Sequence, residues 1–207
     1  MKPLLLATRN AKKMAELQRI LDGALGVGEI ALQGLADVPP YDEVPETGLT
    51  FEDNALLKAR EGARHTGLPT VADDSGIAVD ALNGMPGVFS ARWSGQHGDD
   101  HANLELLLAQ VSDVDDAHRG ARFLCAAALV LPDGREFTVT GEMVGHLTRA
   151  ARGTGGFGYD PIFVPDGDTR TTAEFDPAEK DAISHRGKAF RDLAAIVRTE
   201  VLRSMAR

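Results

Sequence analysis

The run Pro69-Thr70-Val71-Ala72-Asp73-Asp74-Ser75-Gly76-Ile77-Ala78-Val79-Asp80-Ala81 decides the fold class of this chain. Pro69 to Ala72 leads into it, and Ile77, Val79 and Ala81 alternate with smaller or polar residues, the period of a half-buried strand. Between them stand Asp73, Asp74, Ser75 and Gly76, residue types that make turns, so the reading is an acidic turn joining two extended segments. Immediately upstream, Thr50 and Asp53 have capping-box spacing, and Phe51, Ala55, Ala59 and Ala63 recur every four residues up to a stop at Gly67. A helix therefore runs directly into a strand.

The same alternation extends in both directions. Leu4 to Ala7 is a short apolar strand, and Met14, Leu17, Ile20 and Leu21 after Asn10 mark a helix. Downstream, Asp99 or Asp100 can cap a helix through Val111. Ala121 to Leu131 then reads as a buried strand turning at Pro132-Asp133-Gly134 into a strand from Glu136 to Thr140. Asp176-Pro177-Ala178-Glu179 carries an N-cap, Pro at the first helical position and an acid two residues on. Phe190, Leu193, Ala194, Val197 and Val201 form the apolar stripe of a terminal helix. Interleaved strands and helices make the class α/β. The chain has no internal repeat, and the stretches Pro39 to Pro45 and Gly153 to Gly158 are loops, not linkers. A single domain over 1–207 is expected.

Composition narrows the function. The 207 residues carry 22 Lys and Arg against 31 Asp and Glu, a formal charge of −9. That balance disfavours non-specific nucleic-acid binding, and any anionic ligand must meet a local basic cluster. The apolar stretch Phe123 to Leu131 is far shorter than the roughly 20 residues of a membrane helix, and Leu4 to Ala7 is too brief for a signal core. A cytoplasmic protein without membrane partners is the expectation. Cys125 lies inside that apolar stretch, which points to a buried, inert thiol.

Several clusters can carry chemistry. Thr8-Arg9-Asn10-Ala11-Lys12-Lys13 puts two lysines in a first helical turn, where the macrodipole disfavours cations by roughly 0.3–1 kcal/mol each unless an anion binds there. Ser184-His185-Arg186 repeats the pattern, with Ser184 as the cap, and two such helix starts suggest a polyanion. A solvated turn is the competing reading for each. Asp73 and Asp74 end an apolar strand, where charge is expensive unless it meets a cation or solvent, so the turn is a candidate metal or general-base site. An Asp-rich turn bonding its own backbone is the alternative. A sparse acidic site suits Mg²⁺, and Glu46 in Pro45-Glu46-Thr47-Gly48 is a second carboxylate to consider. The loop Gly153-Thr154-Gly155-Gly156-Phe157-Gly158-Tyr159-Asp160-Pro161 lacks P-loop and Rossmann contexts, yet its glycines allow close backbone approach while Phe157 or Tyr159 offers a face to a base; a tight turn anchored by core aromatics is the alternative. His97 and His101 flank Asp99 and Asp100 without a zinc motif, and read as a loop entering a helix cap.

Taken in order, Thr8-x-Asn10-x-x-Lys13, Glu46-Thr47-Gly48, Asp73-Asp74-Ser75-Gly76, Ser90-Ala91-Arg92, Gly156 to Pro161, and Glu179-Lys180 with Ser184-His185-Arg186-Gly187 resemble the inosine/xanthosine triphosphate pyrophosphatases. The resemblance runs from Leu4 to about Leu193. It implies an elongated mixed β-sheet flanked by helices, two lobes around a central nucleotide-binding cleft, and a homodimer. It also implies Mg²⁺-dependent hydrolysis of ITP, dITP and XTP to the monophosphate and pyrophosphate, which clears deaminated purines from the nucleotide pool. By the same resemblance, Thr8, Arg9, Asn10, Ala11, Lys12 and Lys13 hold the triphosphate. Asp74 is the proton acceptor and a Mg²⁺ ligand, and Glu46 is a further ligand. Ser75, Phe157, Gly158, Tyr159, Asp160, Lys180, His185 and Arg186 contact substrate. Many relatives carry Gly where this chain has Arg9, which is expected to point outward or add a phosphate contact.

A 6-oxopurine presents an acceptor at O6 and a donor at N1, so a donor such as Arg186 with an acceptor such as Asp160 would favour inosine over adenosine. Two other readings stay open. One is a pyrophosphatase for other modified nucleotides, and the other is a nucleotide sensor that binds without turnover.

Overall fold

The computed structural model describes residues 1–26, 28–42 and 44–203. Glu43, inside the proline-rich stretch expected to be a loop, lies outside the described residues, and its described neighbours carry no regular structure. The elements run β1 (Lys2–Leu6), α1 (Ala11–Leu25), β2 (Ile30–Gln33), α2 (Phe51–Thr66), β3 (Thr70–Val79), α3 (Asp100–Gln110), β4 (Gly120–Val130), β5 (Glu136–Leu147), β6 (Phe163–Pro165), α4 (Pro177–Ile183) and α5 (His185–Val197). The six strands form one sheet in the order β2-β1-β3-β4-β5-β6. β1 is parallel to β2 and β3, whereas β5 and β6 are antiparallel, so the sheet is mixed. The α/β expectation holds.

The acidic turn does not form. Asp73 to Gly76 continue β3 without a break, and the strand is buried along nearly its whole length. Turn-forming residue types lose here to tertiary partners: each aspartate meets cationic side chains from other elements, so the strand carries both without stranded charge. The following residues differ as well, since Asp80–Leu82 form a short 3-10 turn that removes Ala81 from the strand. β5 runs on past Thr140 to Leu147.

The chain divides into two compact units. The first contains Met1–Asp74, Cys125–Gly141 and Arg186–Arg207. In it, successive residues of β4 serve opposite faces of the sheet, as the two-residue period of a strand requires. Cys125, Ala127, Leu129 and Leu131 join Leu17, Leu21, Phe190 and Leu193 in one core. Ala126, Ala128 and Val130 join Ala55, Ala59 and Ala63 of α2 in another. Small residues on both sides let α2 lie close to the sheet. The helix is capped as its sequence predicts, by Thr50 accepting from the Asp53 N–H at one end and Gly67 in the left-handed region (φ 66°) at the other. Cys125 is buried, and burial pushes its thiol well above the ordinary range.

The second unit contains Ser75–Leu124 and Glu142–His185. Ile77 and Val79 pack with Leu104, Leu107, Phe123, Met143, Tyr159 and Phe163. Asp99 caps α3 by accepting from the Ala102 N–H (3.0 Å). Ser90 docks against β3, its Oγ accepting from the Ile77 N–H (2.9 Å) and donating to the Gly87 carbonyl (2.7 Å). Gly76 leaves room for that contact, because a Cβ there would collide with Ser90 Oγ and lie 2.6 Å from the Gly87 carbonyl. Gly76→Ala is therefore expected to lower stability by about 1–3 kcal/mol through overpacking. Urea unfolding checks this, and an unchanged midpoint would show that the Ser90 turn yields freely.

Candidate active site

In the first unit the site grows from three helix positions and one strand. Asn10 caps α1, its side-chain oxygen accepting from the N–H groups of Lys12 (3.0 Å) and Lys13 (3.2 Å). Thr8 Oγ accepts in turn from the Asn10 N–H (3.2 Å), which fixes the entry to the helix. The first turn of α1 contains no acidic residue. Arg9, Ala11 and Lys12 are exposed there, consistent with the outward course expected of Arg9.

Asp73 and Asp74, adjacent in sequence, face opposite sides of the sheet. Asp73 shares its side with Val71 and meets α1 and α5: its Oδ2 accepts from Lys13 Nζ (2.9 Å) and Arg186 Nε (3.2 Å). Arg186 also donates to Glu16 Oε2 (3.0 Å) and is buried, as are Glu16 and Asp73. Burial alone would raise the Asp73 carboxyl, but the charges of Lys13, Arg186 and Lys58 outweigh it and hold the group well below the usual carboxylate range. For Arg186, burial opposes the charge, yet Asp73 and Glu16 keep its affinity for the proton above the ordinary value.

Asp74 shares its side with Ala72 and meets α2. Its Oδ2 accepts from Asn54 Nδ2 (3.0 Å), and its Oδ1 lies 3.4 Å from Lys58 Nζ. The same ammonium donates to Glu46 Oε1 (2.7 Å). Asn54 also holds the Glu46 loop, since its Oδ1 accepts from the Gly48 N–H (2.8 Å). Burial raises the Asp74 carboxyl; the Glu46 charge adds to this, and Lys58 and Asn54 only partly offset it. For Lys58, burial is outweighed by Asp74, Glu46 and Asp73, which raise its ammonium above the ordinary range.

In the second unit the glycine-rich loop is organised around Asp160. This buried carboxylate accepts from the Phe157 N–H (2.8 Å), Thr172 Oγ (2.7 Å) and Lys180 Nζ (2.5 Å). Gly156, at φ 70°, takes a conformation that favours glycine, and a Cβ there would strike the Asp160 carboxylate. The Gly158 N–H donates to Asp100 (3.0 Å). Of the two aromatics, Tyr159 is a core residue whose hydroxyl donates to the Ser90 carbonyl (2.8 Å) and whose phenol burial pushes upward. Phe157 remains half-buried, with Lys180 Nζ 5.2 Å from its ring centre. Lys180 is presented by α4, whose start carries the predicted Asp176–Glu179 capping box and Pro177. Ser184 closes α4 through its N–H to the Lys180 carbonyl (2.8 Å), and His185, buried, stacks on Phe123 at 4.9 Å. Ser75 is partly exposed in β3.

Known proteins resemble this chain in sequence and in fold. The Ham1 family profile matches residues 4–196. The chain belongs to the Ham1 family. It is 66% identical to the dITP/XTP pyrophosphatase of Nocardia farcinica over 190 residues, 92% of each chain. The crystal structure of the nucleoside-triphosphatase / dITP/XTP pyrophosphatase from Mycobacterium abscessus is 61% identical, with a TM-score of 0.75 over 94% of this chain and 98% of that one. A HAM1 protein from Coxiella burnetii, 40% identical, has a TM-score of 0.84 over 96% of this chain and all of its own.

Sequence reasoning missed Asn54, Lys58 and Glu16 in the first unit of this Ham1 protein and Thr172 in the second. Asn54 and Lys58 had a signal, being an i, i+4 polar pair each one place before a buried alanine of α2. Glu16 had none, because its burial depends on Arg186, far away in sequence. Among the described residues no group of three or more His, Cys, Asp or Glu side chains could hold a metal, which includes the His97 and His101 region. A two-carboxylate set of Glu46 and Asp74 fits Mg²⁺, which keeps waters and takes substrate phosphate oxygens as its other ligands.

Proposed function

We propose that this Ham1 protein hydrolyses the triphosphates of deaminated purines, ITP, dITP and XTP, to the nucleoside monophosphate and pyrophosphate with Mg²⁺. The observation that carries the reading is the buried Asp74 carboxylate, held by Asn54 and Lys58 beside Glu46. The activity named for its relatives in Nocardia farcinica and Mycobacterium abscessus supports the same conclusion.

Water attacks the α-phosphorus, a new P–O bond forms, and the bond to the bridging oxygen breaks to release pyrophosphate. Asp74 orients the water and accepts its proton. Thr8 to Lys13, at the start of α1, bind the triphosphate, with the two lysines meeting its charge. When bound at Asp74 and Glu46, Mg²⁺ supplies neutralisation of charge on the leaving pyrophosphate. Arg186 keeps Asp73 ionised and thereby holds Lys13 beside the strand. Phe157 stacks on the base, Lys180 and His185 complete its surroundings with Ser75 and Gly158, and Tyr159 and Asp160 hold the loop in shape. The enzyme acts as a homodimer in the cytoplasm. Among the described residues no helix is long and apolar enough to cross a membrane.

Pyrophosphate release from equimolar ITP, XTP, GTP and ATP, with Mg²⁺ and with EDTA, tests the proposal. The expected result is Mg²⁺-dependent IMP and XMP with little turnover of GTP or ATP; formation of diphosphate and phosphate would refute it. Phe157→Ala should raise KM for ITP by about tenfold or more, since stacking on an aromatic side chain contributes roughly 1–3 kcal/mol per base. Steady-state kinetics decide this, and an unchanged KM would remove Phe157 from base binding.

A further inference from the structure

We propose that Lys58 is a resident counter-cation of the Glu46–Asp74 pair and stands where a divalent metal would bind, so that the metal loads only as nucleotide phosphates draw the ammonium away. This rests on the metal ligands proposed above. Of the two Asp74 oxygens, Oδ2 already accepts from Asn54, and Oδ1, at 3.4 Å from Lys58 Nζ, has both the ammonium and a metal as candidate partners. The Glu46 oxygen at 2.7 Å belongs to the same ammonium. A Mg²⁺ ion takes oxygen ligands at about 2.0–2.1 Å. A metal held by Glu46 and Asp74 would compete with the Lys58 ammonium for the same carboxylates, and two cations drawn to one carboxylate pair repel each other.

Lys58 can leave without moving α2, because its charge sits on a flexible four-carbon stem. Phosphate oxygens are the acceptors that would compensate it. Two ligands are then coupled through one side chain: nucleotide tightens metal binding, and metal tightens nucleotide binding by the same factor. Lys13 provides an internal contrast, since its ammonium pairs with Asp73 and touches neither proposed metal ligand.

The test is titration of the full-length protein with Mn²⁺, free ion read by electron paramagnetic resonance, without nucleotide. Lys58→Met should bind Mn²⁺ about tenfold or more tighter than wild type, within the roughly 5- to 150-fold range of measured couplings. Lys13→Met should change affinity much less, and adding Glu46→Gln to Lys58→Met should remove the gain. Mn²⁺ should also raise the melting temperature of Lys58→Met, which reads the same effect even if the variant is less stable. Equal affinity in Lys58→Met and wild type, an equal gain in Lys13→Met, or a gain that survives Glu46→Gln would each overturn the proposal. Failure of the functional reading is separate: wild type would then leave ITP intact in the pyrophosphate assay, whatever the Mn²⁺ titrations give.

Discussion

Asp74→Asn is expected to reduce kcat for ITP by about 10²- to 10⁴-fold, the usual contribution of a general base, while nucleotide binding remains detectable. The amide keeps the shape of the carboxylate and an oxygen for Asn54, so the α2 face of β3 should survive the change. It cannot accept a proton from water. The residues assigned to phosphate stand at the start of α1 and those assigned to the base stand in the other unit, so neither set touches Asp74 directly and binding of nucleotide should weaken only through the metal. Single-turnover kinetics with ITP, together with equilibrium binding of the same nucleotide, separate the two effects. Near-normal turnover would mean that another group takes the proton and that Asp74 serves the fold or the metal alone.

Arg186→Met should lower stability by roughly 3–5 kcal/mol, the range seen when one partner of a buried ion pair is removed. For a chain of this size that corresponds to a fall in melting temperature of roughly 6–20 °C. The loss has two sources, because Arg186 neutralises both Asp73 and Glu16 in a region from which water is excluded. Lys13 still compensates Asp73 in the variant, whereas Glu16 has no other ion pair among the described residues. The effect should also depend on pH. The folded-state affinity of Asp73 for its proton is depressed, so its stabilisation is fully present above the unfolded carboxylate value of about 3.9 and is lost as pH falls through the folded value. The difference between wild type and variant is therefore expected to be complete at neutral pH and to narrow below about pH 4. A loss under about 1 kcal/mol at pH 7 would show that the buried carboxylates take up protons when Arg186 is absent.

The local signals were legible where a single segment contains both the cause and the effect. Thr50 caps the helix that its position predicts, Asp99 is the one of the two candidate aspartates that caps α3, and the Asp176 box forms because its partners are three residues apart. The apolar stretch in β4 was legible as buried because no charge interrupts it. Legibility failed at Asp73-Asp74-Ser75-Gly76, where the same letters satisfy a turn as well as a strand with distant partners. The glycine-rich loop left open whether Phe157 or Tyr159 faces a base or anchors a tight turn, and Tyr159 packs in the core.

By itself, then, the sequence determined the main helices and the strands β1, β4 and β5, since these depend on periodicity and on side-chain chemistry within a few residues. Only the tertiary structure decided that Asp73 and Asp74 serve different faces of one strand, the first in a buried ion pair with Lys13, Arg186 and Glu16, the second beside Glu46 and Lys58. The physical reason is that the charge state and the reach of a buried carboxylate are set by the cations packed against it, and here those come from helices as far apart in the chain as α1 and α5.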